Sequence, residues 1–380
     1  MKIALELQPC LKSRSGIGIY TYELAKRLQD YDTVQLEGYI FNFLMRNDLA
    51  QELYGFHFQQ KYCTLFPYGI YRRIWRFAPV PYRWLFGQDA DITHFFNFIV
   101  PKGVAGKVVN TIYDVVWLRY PETMDAKNYK RITQDIAYSV ERADRIVTIS
   151  ESTKQDLIDL LHIPAEKIVI APPGVDVDAF QNSYSADALY RIRQQYQLPD
   201  QYILYMGTLE PRKNIERLVQ AFAQLCRMPG MEHYCLVLAG KRGWQYDTIF
   251  AQMQQLGLED RIVCTGYVDE ADKAAVYQMA EVFVFPSLYE GFGMPILEAM
   301  AAGVPVVTSN VSSMPEVAGD AALLVDPLNV SELTEAIYKL LTDEALRQQC
   351  VARGYERCRL FTWERSADTL VQMYHDMMQG

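Results

Sequence analysis

The chain has 380 residues, half of them hydrophobic and 22% charged, with a formal net charge of −9 at pH 7. That length exceeds one ordinary core and suits two domains of about 150–200 residues, and the apolar content excludes general disorder. The acidic balance excludes a nucleic-acid binder that relies on general attraction to phosphate.

The start, MKIALELQPC, carries Glu6 inside its only apolar stretch and reads as a first strand, not a signal peptide. A glycine loop, SRSGIGIYTYELAKRL (13–28), then feeds a helix. Its Gly16 and Gly18 do not complete G-x-G-x-x-G, because Thr21 stands where the third glycine would fall. No early acidic partner for a nicotinamide ribose follows, which argues against a dinucleotide oxidoreductase. Further strands are expected at 34–41, 91–96, 107–112, 145–150 and 167–172. Residues 66–87 interleave Arg72, Arg73, Arg76 and Arg83 with Tyr71, Trp75, Phe77, Tyr82, Trp84 and Phe86. Cations among aromatics suit peripheral contact with an anionic lipid surface, and equally a helix whose aromatics are core. The strand at 107–112 delivers Tyr113-Asp114. Asp114 could orient an acceptor hydroxyl or serve as a turn or cap residue.

Residues 172–201 are rich in Pro, Asp, Ser and Gln and lack a strand, so a linker with a short helix is expected over 176–200. Asp176-Val177-Asp178 spells D-x-D, but in a linker rather than at a strand end, and no metal is expected there. The seven cysteines form no C-x-x-C and the five histidines no H-x-x-x-H, so zinc has no support. Scattered thiols in apolar runs point to buried, reduced cysteines of a cytoplasmic protein. No run of 18 apolar residues spans a membrane. Membrane association is expected only as peripheral contact on the inner face, through 66–87.

Strands are expected again at 202–207, 235–240, 261–266, 282–287, 304–309 and 321–326, with helices such as 214–225 between them. Near-continuous apolar strands alternating with amphipathic helices give parallel sheets covered on both faces. The fold class is therefore α/β, with two Rossmann-like doubly wound domains at 1–175 and 201–362. A terminal helix over 363–380 should pack back on the first domain. Ligands of such sheets bind beyond the carboxyl ends of the strands, which singles out three stretches of the second half.

MGTLEPRKN (206–214) offers Gly207 for close approach, Arg212 and Lys213 as cations, and Asn214 as a helix cap. GYVDEADK (266–273) offers a glycine turn after a strand. LYEGFGMPILEAM (288–300) sets Glu290 before a glycine turn, Pro295 in the first turn of a helix, and Glu298 one turn in. The helix start favours an anion. Two carboxylates suit hydroxyls on either side of it, as in a nucleotide-sugar: Glu298 for the ribose and Glu290 for the sugar.

EGFGMPILEAMAAGVPVV resembles the signature of the GT-B retaining glycosyltransferases of family 4, whose paired glutamates have seven residues between them. The similarity runs through most of the second half and, more faintly, through SGIGIYTYELAKRL, YDVVWLRYPE, ADRIVTISESTKQDL and APPGVD of the first. It implies a nucleotide-sugar donor in a cleft between the two sheets. Gly16, Gly18, Gly207, Thr208, Val268, Gly291, Phe292, Gly293, Met294, Leu297 and Glu298 would line the donor, and Arg212, Lys213, Glu290 and Asp114 would serve the reaction. It implies transfer with retention, no metal or other cofactor, and front-side attack in which the leaving phosphate takes the acceptor's proton. The acceptor would be a saccharide or polyprenyl-linked saccharide used for cell-surface polysaccharide.

The chain departs from the family at Ser15, where a glycine is common, and at Thr208, where an arginine often follows the strand glycine. It departs again at Tyr113, where many members have histidine. The Tyr-Asp pair resembles bacterial polysaccharide mannosyltransferases and favours GDP-mannose. The rivals are a nucleotide-sugar-binding protein without transfer activity and a GT-B phosphorylase or epimerase.

Overall fold

The structure is a computed structural model that describes residues 1–11, 16–45, 53, 55–75, 77–78, 80–87 and 89–379. Ser15 and Arg76 lie outside the described residues. The chain divides into two units, the first of 1–118, 126–173 and 363–380, the second of 119–125 and 174–362.

The first unit holds β1 (Lys2–Glu6), β2 (Gln35–Phe41), β3 (Gln59–Cys63), β4 (Ile92–Phe95), β5 (Lys107–Thr111), β6 (Arg145–Thr148) and β7 (Ile168–Ile170). They form a parallel sheet in the order β3-β2-β1-β4-β5-β6-β7. The expected strands are present to within two residues. β3 was not anticipated: its sequence, QQKYC, is polar because an edge strand has one neighbour and only Cys63 is fully buried.

The second unit holds β8 (Tyr202–Met206), β9 (Cys235–Ala239), β10 (Ile262–Gly266), β11 (Val282–Phe285), β12 (Val306–Ser309) and β13 (Ala322–Val325). Their order is β10-β9-β8-β11-β12-β13, again parallel. Every residue of β8 and β11 is buried, which is why both read as unbroken apolar runs. The strand order reverses between β8 and β11, making their loops the two sides of a topological switch point.

Two expected boundaries are corrected. Residues 176–200 are not a free linker, since the helices Val177–Phe180 and Ala186–Tyr196 pack into the second unit. Phe180 meets the Tyr277 ring at 5.9 Å, and the Tyr196 hydroxyl donates to Asp272 at 2.8 Å. Residues 119–125, expected in the first domain, belong to the second unit, where the Tyr120 and Tyr289 rings lie 5.8 Å apart. Asp176 of the D-x-D pattern accepts from Ala179 N–H as a helix cap.

The terminal helix Trp363–Gln379 belongs to the first unit. Trp363 lies 6.0 Å from Tyr20, and Tyr374 reaches His94 Nδ1 at 2.6 Å. His94 is fully buried with Thr111 Oγ1 on its other nitrogen, and burial lowers its pKa to about 3, so the ring is neutral. The seven cysteines, all among the described residues, form no disulfide. Among the described residues no helix is long and apolar enough to cross a membrane.

Within 66–87, Tyr71, Trp75, Tyr82 and Phe86 are core. Tyr82 meets Phe95 edge-on and Phe86 at a tilt, and Tyr71 stacks on Phe41. Phe77 and Trp84 are 89% and 69% exposed, so only these two large aromatics of the stretch face solvent freely.

Candidate active site

The loops after β8 and β11 meet because those strands pair, Ile203 beside Val282 and Leu204 beside Phe283. After β8 the backbone is crowded: a Cβ on Gly240, at the end of β9, would stand 1.9 Å from the Gly207 carbonyl oxygen. Tyr205, buried in β8, donates its hydroxyl to the Thr208 carbonyl at 3.1 Å and fixes that turn. Thr208 itself is exposed.

Pro211–Lys213 form one 3-10 turn, and Asn214 follows with φ of 59°. Asn214 holds the N-cap position of the next helix, Ile215–Leu225, as expected, but its side chain does not bond the helix start. Its amide instead donates to the Pro286 and Pro327 carbonyls at 3.0 and 2.7 Å, and its oxygen accepts from Arg217. It therefore clamps the β8 loop to the β11 loop, and Leu288 N–H on the Arg212 carbonyl adds a second tie.

Those ties bring Arg212 and Lys213 onto Glu290. Lys213 Nζ lies 2.5 Å from Oε1, and Arg212 Nη1 lies 2.8 Å from Oε2. Arg212 also donates to the Tyr289 carbonyl and pairs with Glu210 at 2.9 Å, while Lys213 sits 5.1 Å over the Phe285 ring. Burial of Glu290 works to raise its pKa, but the charges of Arg212 and then Lys213 outweigh it and lower it to about 2. Burial and Arg212 together push Lys213 below its ordinary value against the pull of Glu290. The two cations are thus balanced by carboxylates rather than bare. Lysine has three N–H donors and arginine five, so the pairing aims the cations without exhausting them.

The glycine turn of 291–293 is held from beneath. Ser312 donates to the Glu290 carbonyl at 2.6 Å and accepts from its N–H. Ser313 donates to the Glu290 and Phe292 carbonyls. Gly293 has φ of 110°, left-handed backbone that favours glycine. The helix Met294–Ala301 starts there with Pro295 in its first turn, as expected, and no side chain caps it.

Glu298, 7% exposed, does not stand alone either: one oxygen takes Lys273 Nζ and the other the Tyr277 hydroxyl at 3.0 Å. Burial works against the Lys273 charge, but Glu298 and then Glu270 more than offset it and hold the ammonium above its usual range. Two of roughly four acceptor positions on the carboxylate stay free for hydroxyls. Val268, 7% exposed, follows Gly266 at the end of β10. Phe292, Gly291, Gly293 and Leu297 are buried and Met294 is half-buried.

Gly16, Gly18 and Asp114 lie in the first unit. Gly16 and Gly18 open the helix Gly16–Leu28, the first exposed and the second buried. Asp114 accepts from Val116 N–H at 3.1 Å, the turn role named as its alternative. Tyr113 points inward: its hydroxyl donates to the Phe96 carbonyl and its ring meets Tyr20 and Phe98. Where many members place histidine, this chain has a core residue whose pKa burial drives far up.

Sequence reading missed Lys273, Tyr277, Ser312 and Ser313. Lys273 and Tyr277 stand one helical turn apart, a spacing that puts them on one face, but nothing local connects them to Glu298. Glu6 was also missed as a site feature. It is 3% exposed, Oε1 has no hydrogen-bond partner, and burial raises its pKa to about 8. Because the folded value lies above the unfolded one, its contribution is fully present below about pH 4.5 and is lost as pH rises through 8. Glu6→Gln should therefore gain stability relative to the parent between pH 5 and 8. Equal shifts in melting temperature at both pH values would contradict this.

Comparison with known proteins follows the two units. Residues 190–357 match the model for glycosyl transferases group 1, and residues 14–179 match that for glycosyltransferase family 4. The chain is 33% identical to the O-antigen chain mannosyltransferase B of Escherichia coli, over 98% of this chain and 99% of that one. Sucrose-phosphate synthase of Thermosynechococcus elongatus superposes with a TM-score of 0.77 at 22% identity, covering 100% and 99% of the two chains. The Anabaena protein HepE, solved with UDP and glucose, does so with 0.74 at 18% identity, covering 98% and 99%. At those identities the structures show the shared fold.

Proposed function

This chain belongs to the GT-B glycosyltransferases of family 4, and we propose that it moves mannose from GDP-mannose to a hydroxyl of a saccharide or lipid-linked saccharide, with retention and without a metal. The observation that carries the site reading is Glu290 held between Arg212 and Lys213 at the start of a helix. The likeness to an O-antigen mannosyltransferase over nearly the whole of both chains supports mannose and a cell-surface polysaccharide. Crystals of HepE with UDP and glucose support a nucleotide-sugar donor.

The hard step is departure of the diphosphate, whose oxygens gain charge as the glycosidic bond stretches. Arg212, Lys213 and the positive end of the helix Met294–Ala301, which no side chain caps, meet that charge with groups fixed in advance. Glu290 accepts from a sugar hydroxyl, and Glu298 accepts from the ribose with the lone pairs that Lys273 and Tyr277 leave. No carboxylate is assigned as nucleophile. The leaving phosphate takes the acceptor's proton on the face it departs from. Phe77, Trp84, Arg73 and Arg83, all exposed, support peripheral contact with an anionic leaflet.

A thermal-shift screen of GDP, UDP and ADP with their sugars tests the donor, and GDP compounds are expected to stabilise most. Product NMR should show the donor's anomeric configuration kept, with turnover unchanged in EDTA. An inverted product or loss in EDTA would overturn those parts. Binding without product across a broad acceptor panel would favour the transfer-inactive rival. Glu298→Ala should weaken GDP binding about tenfold or more, as for lost hydrogen bonds to a charged acceptor. Unchanged affinity in both Glu298→Ala and the isosteric Glu298→Gln would remove the ribose role.

A further inference from the structure

The last residues that pair β11 with β12 are Phe285 and Thr308. Past them the chain that carries Glu290 is held by hydroxyls from the β12 side. Thr308 donates to the Phe285 carbonyl at 2.8 Å and Ser309 to that of Ser287 at 2.7 Å. Ser312 donates to Glu290 at 2.6 Å, and Ser313 to Glu290 and Phe292 at 2.9 and 2.7 Å. Ser312 does more than donate. Its hydroxyl also accepts from Glu290 N–H at 3.2 Å, so it grips both polar groups of that residue's backbone. Ser312 itself has left-handed backbone, φ 58°, which a residue with a Cβ enters at a cost. Asn214, the tie on the β8 side, shares that conformation with φ 59°. Such strain persists only where the surroundings fix it, and it gathers at functional sites.

The Glu290 carboxylate is anchored at its oxygens, one on Lys213 and one on Arg212. A side chain pinned at its tip can still pivot unless its backbone is pinned as well, and the pivot decides where the remaining lone pairs point. We propose that Ser312 is the positioning residue of this site: its hydroxyl fixes the Glu290 backbone and so aims the carboxylate at a hydroxyl of the donor's sugar. This role rests on Glu290 accepting from the sugar, as proposed above, and adds what holds it there. Glu298 has its own holders, Lys273 and Tyr277, so loss of the Ser312 hydroxyl spares the ribose.

Two variants of the full chain separate aim from stability. Ser312→Ala removes the hydroxyl and keeps the left-handed strain, whereas Ser312→Gly removes the hydroxyl and relieves the strain. Each is compared with the parent by calorimetry with GDP and GDP-mannose, by turnover at saturating donor and by melting curve. Both variants should lose turnover about tenfold or more, the scale on which a misplaced group near the reacting centre costs rate. Both should weaken GDP-mannose and leave GDP affinity unchanged, and Ser312→Gly should melt above Ser312→Ala. Turnover unmoved in Ser312→Ala, or GDP and GDP-mannose weakened alike, would overturn the assignment. So would turnover that recovers in Ser312→Gly in step with its melting temperature, which would make Ser312 a stabilising residue only. The same comparison is made with whichever nucleotide and nucleotide-sugar stabilise the parent most, so an error about guanine or mannose strikes the donor reading and leaves this test standing. A parent that binds no nucleotide-sugar removes the reading of Glu290 and the role of Ser312 with it.

Discussion

Replacing Lys213 by alanine is expected to lower turnover at saturating donor by about 10²–10³, the usual cost of losing one donor already aimed at developing charge. Lys213 is held on three sides: Glu290 Oε1 at 2.5 Å, the Phe285 ring at 5.1 Å, and the Asn214 clamp next to it in the chain. Little side-chain freedom is therefore lost when a phosphate arrives, and the ammonium can serve the departing diphosphate with the N–H groups that Glu290 does not use. Alanine removes that charge while Arg212 keeps Glu290 paired, so the fold should survive. Lys213→Arg keeps the charge in a planar fork that does not match the site, and partial recovery is expected. The measurement is GDP release at saturating donor and acceptor, with a melting curve for each variant. Near-normal turnover of Lys213→Ala would take the residue out of the mechanism.

Glu290→Gln is expected to cost about 3 kcal/mol of stability at pH 7, from the pKa lowered from 4.5 to about 2 at about 1.4 kcal/mol per unit. Because the folded value lies below the unfolded one, this stabilisation is present above about pH 4.5 and is lost as pH falls through 2. Parent and variant should differ most near neutrality and by about half as much at pH 3. The physical source is the pair of cations: without the carboxylate, Arg212 and Lys213 face each other across a buried space, which is costly. Unfolding followed at pH 7, 5 and 3 tests it. A gap of the same size at all three pH values would show that packing, not charge, sets the effect.

The sequence by itself determined the two doubly wound sheets, because central parallel strands are buried on both faces and must read as apolar runs, as β8 and β11 do. It determined the glutamate pair around a glycine turn, because turn, proline and helix start are local and neighbours in sequence. The edge strand β3 escaped because half-exposed residues carry no such pattern. What only the tertiary structure decided is which side chains face each other. Glu290 meets Arg212 and, 77 residues away, Lys213, because β8 and β11 are adjacent at the switch point. Glu298 meets Lys273, and Tyr113 turns into the core rather than toward a ligand. Periodicity along a chain records burial, residue by residue. The order in which strands assemble records contact, and it is fixed only when the sheet closes its long-range pairs.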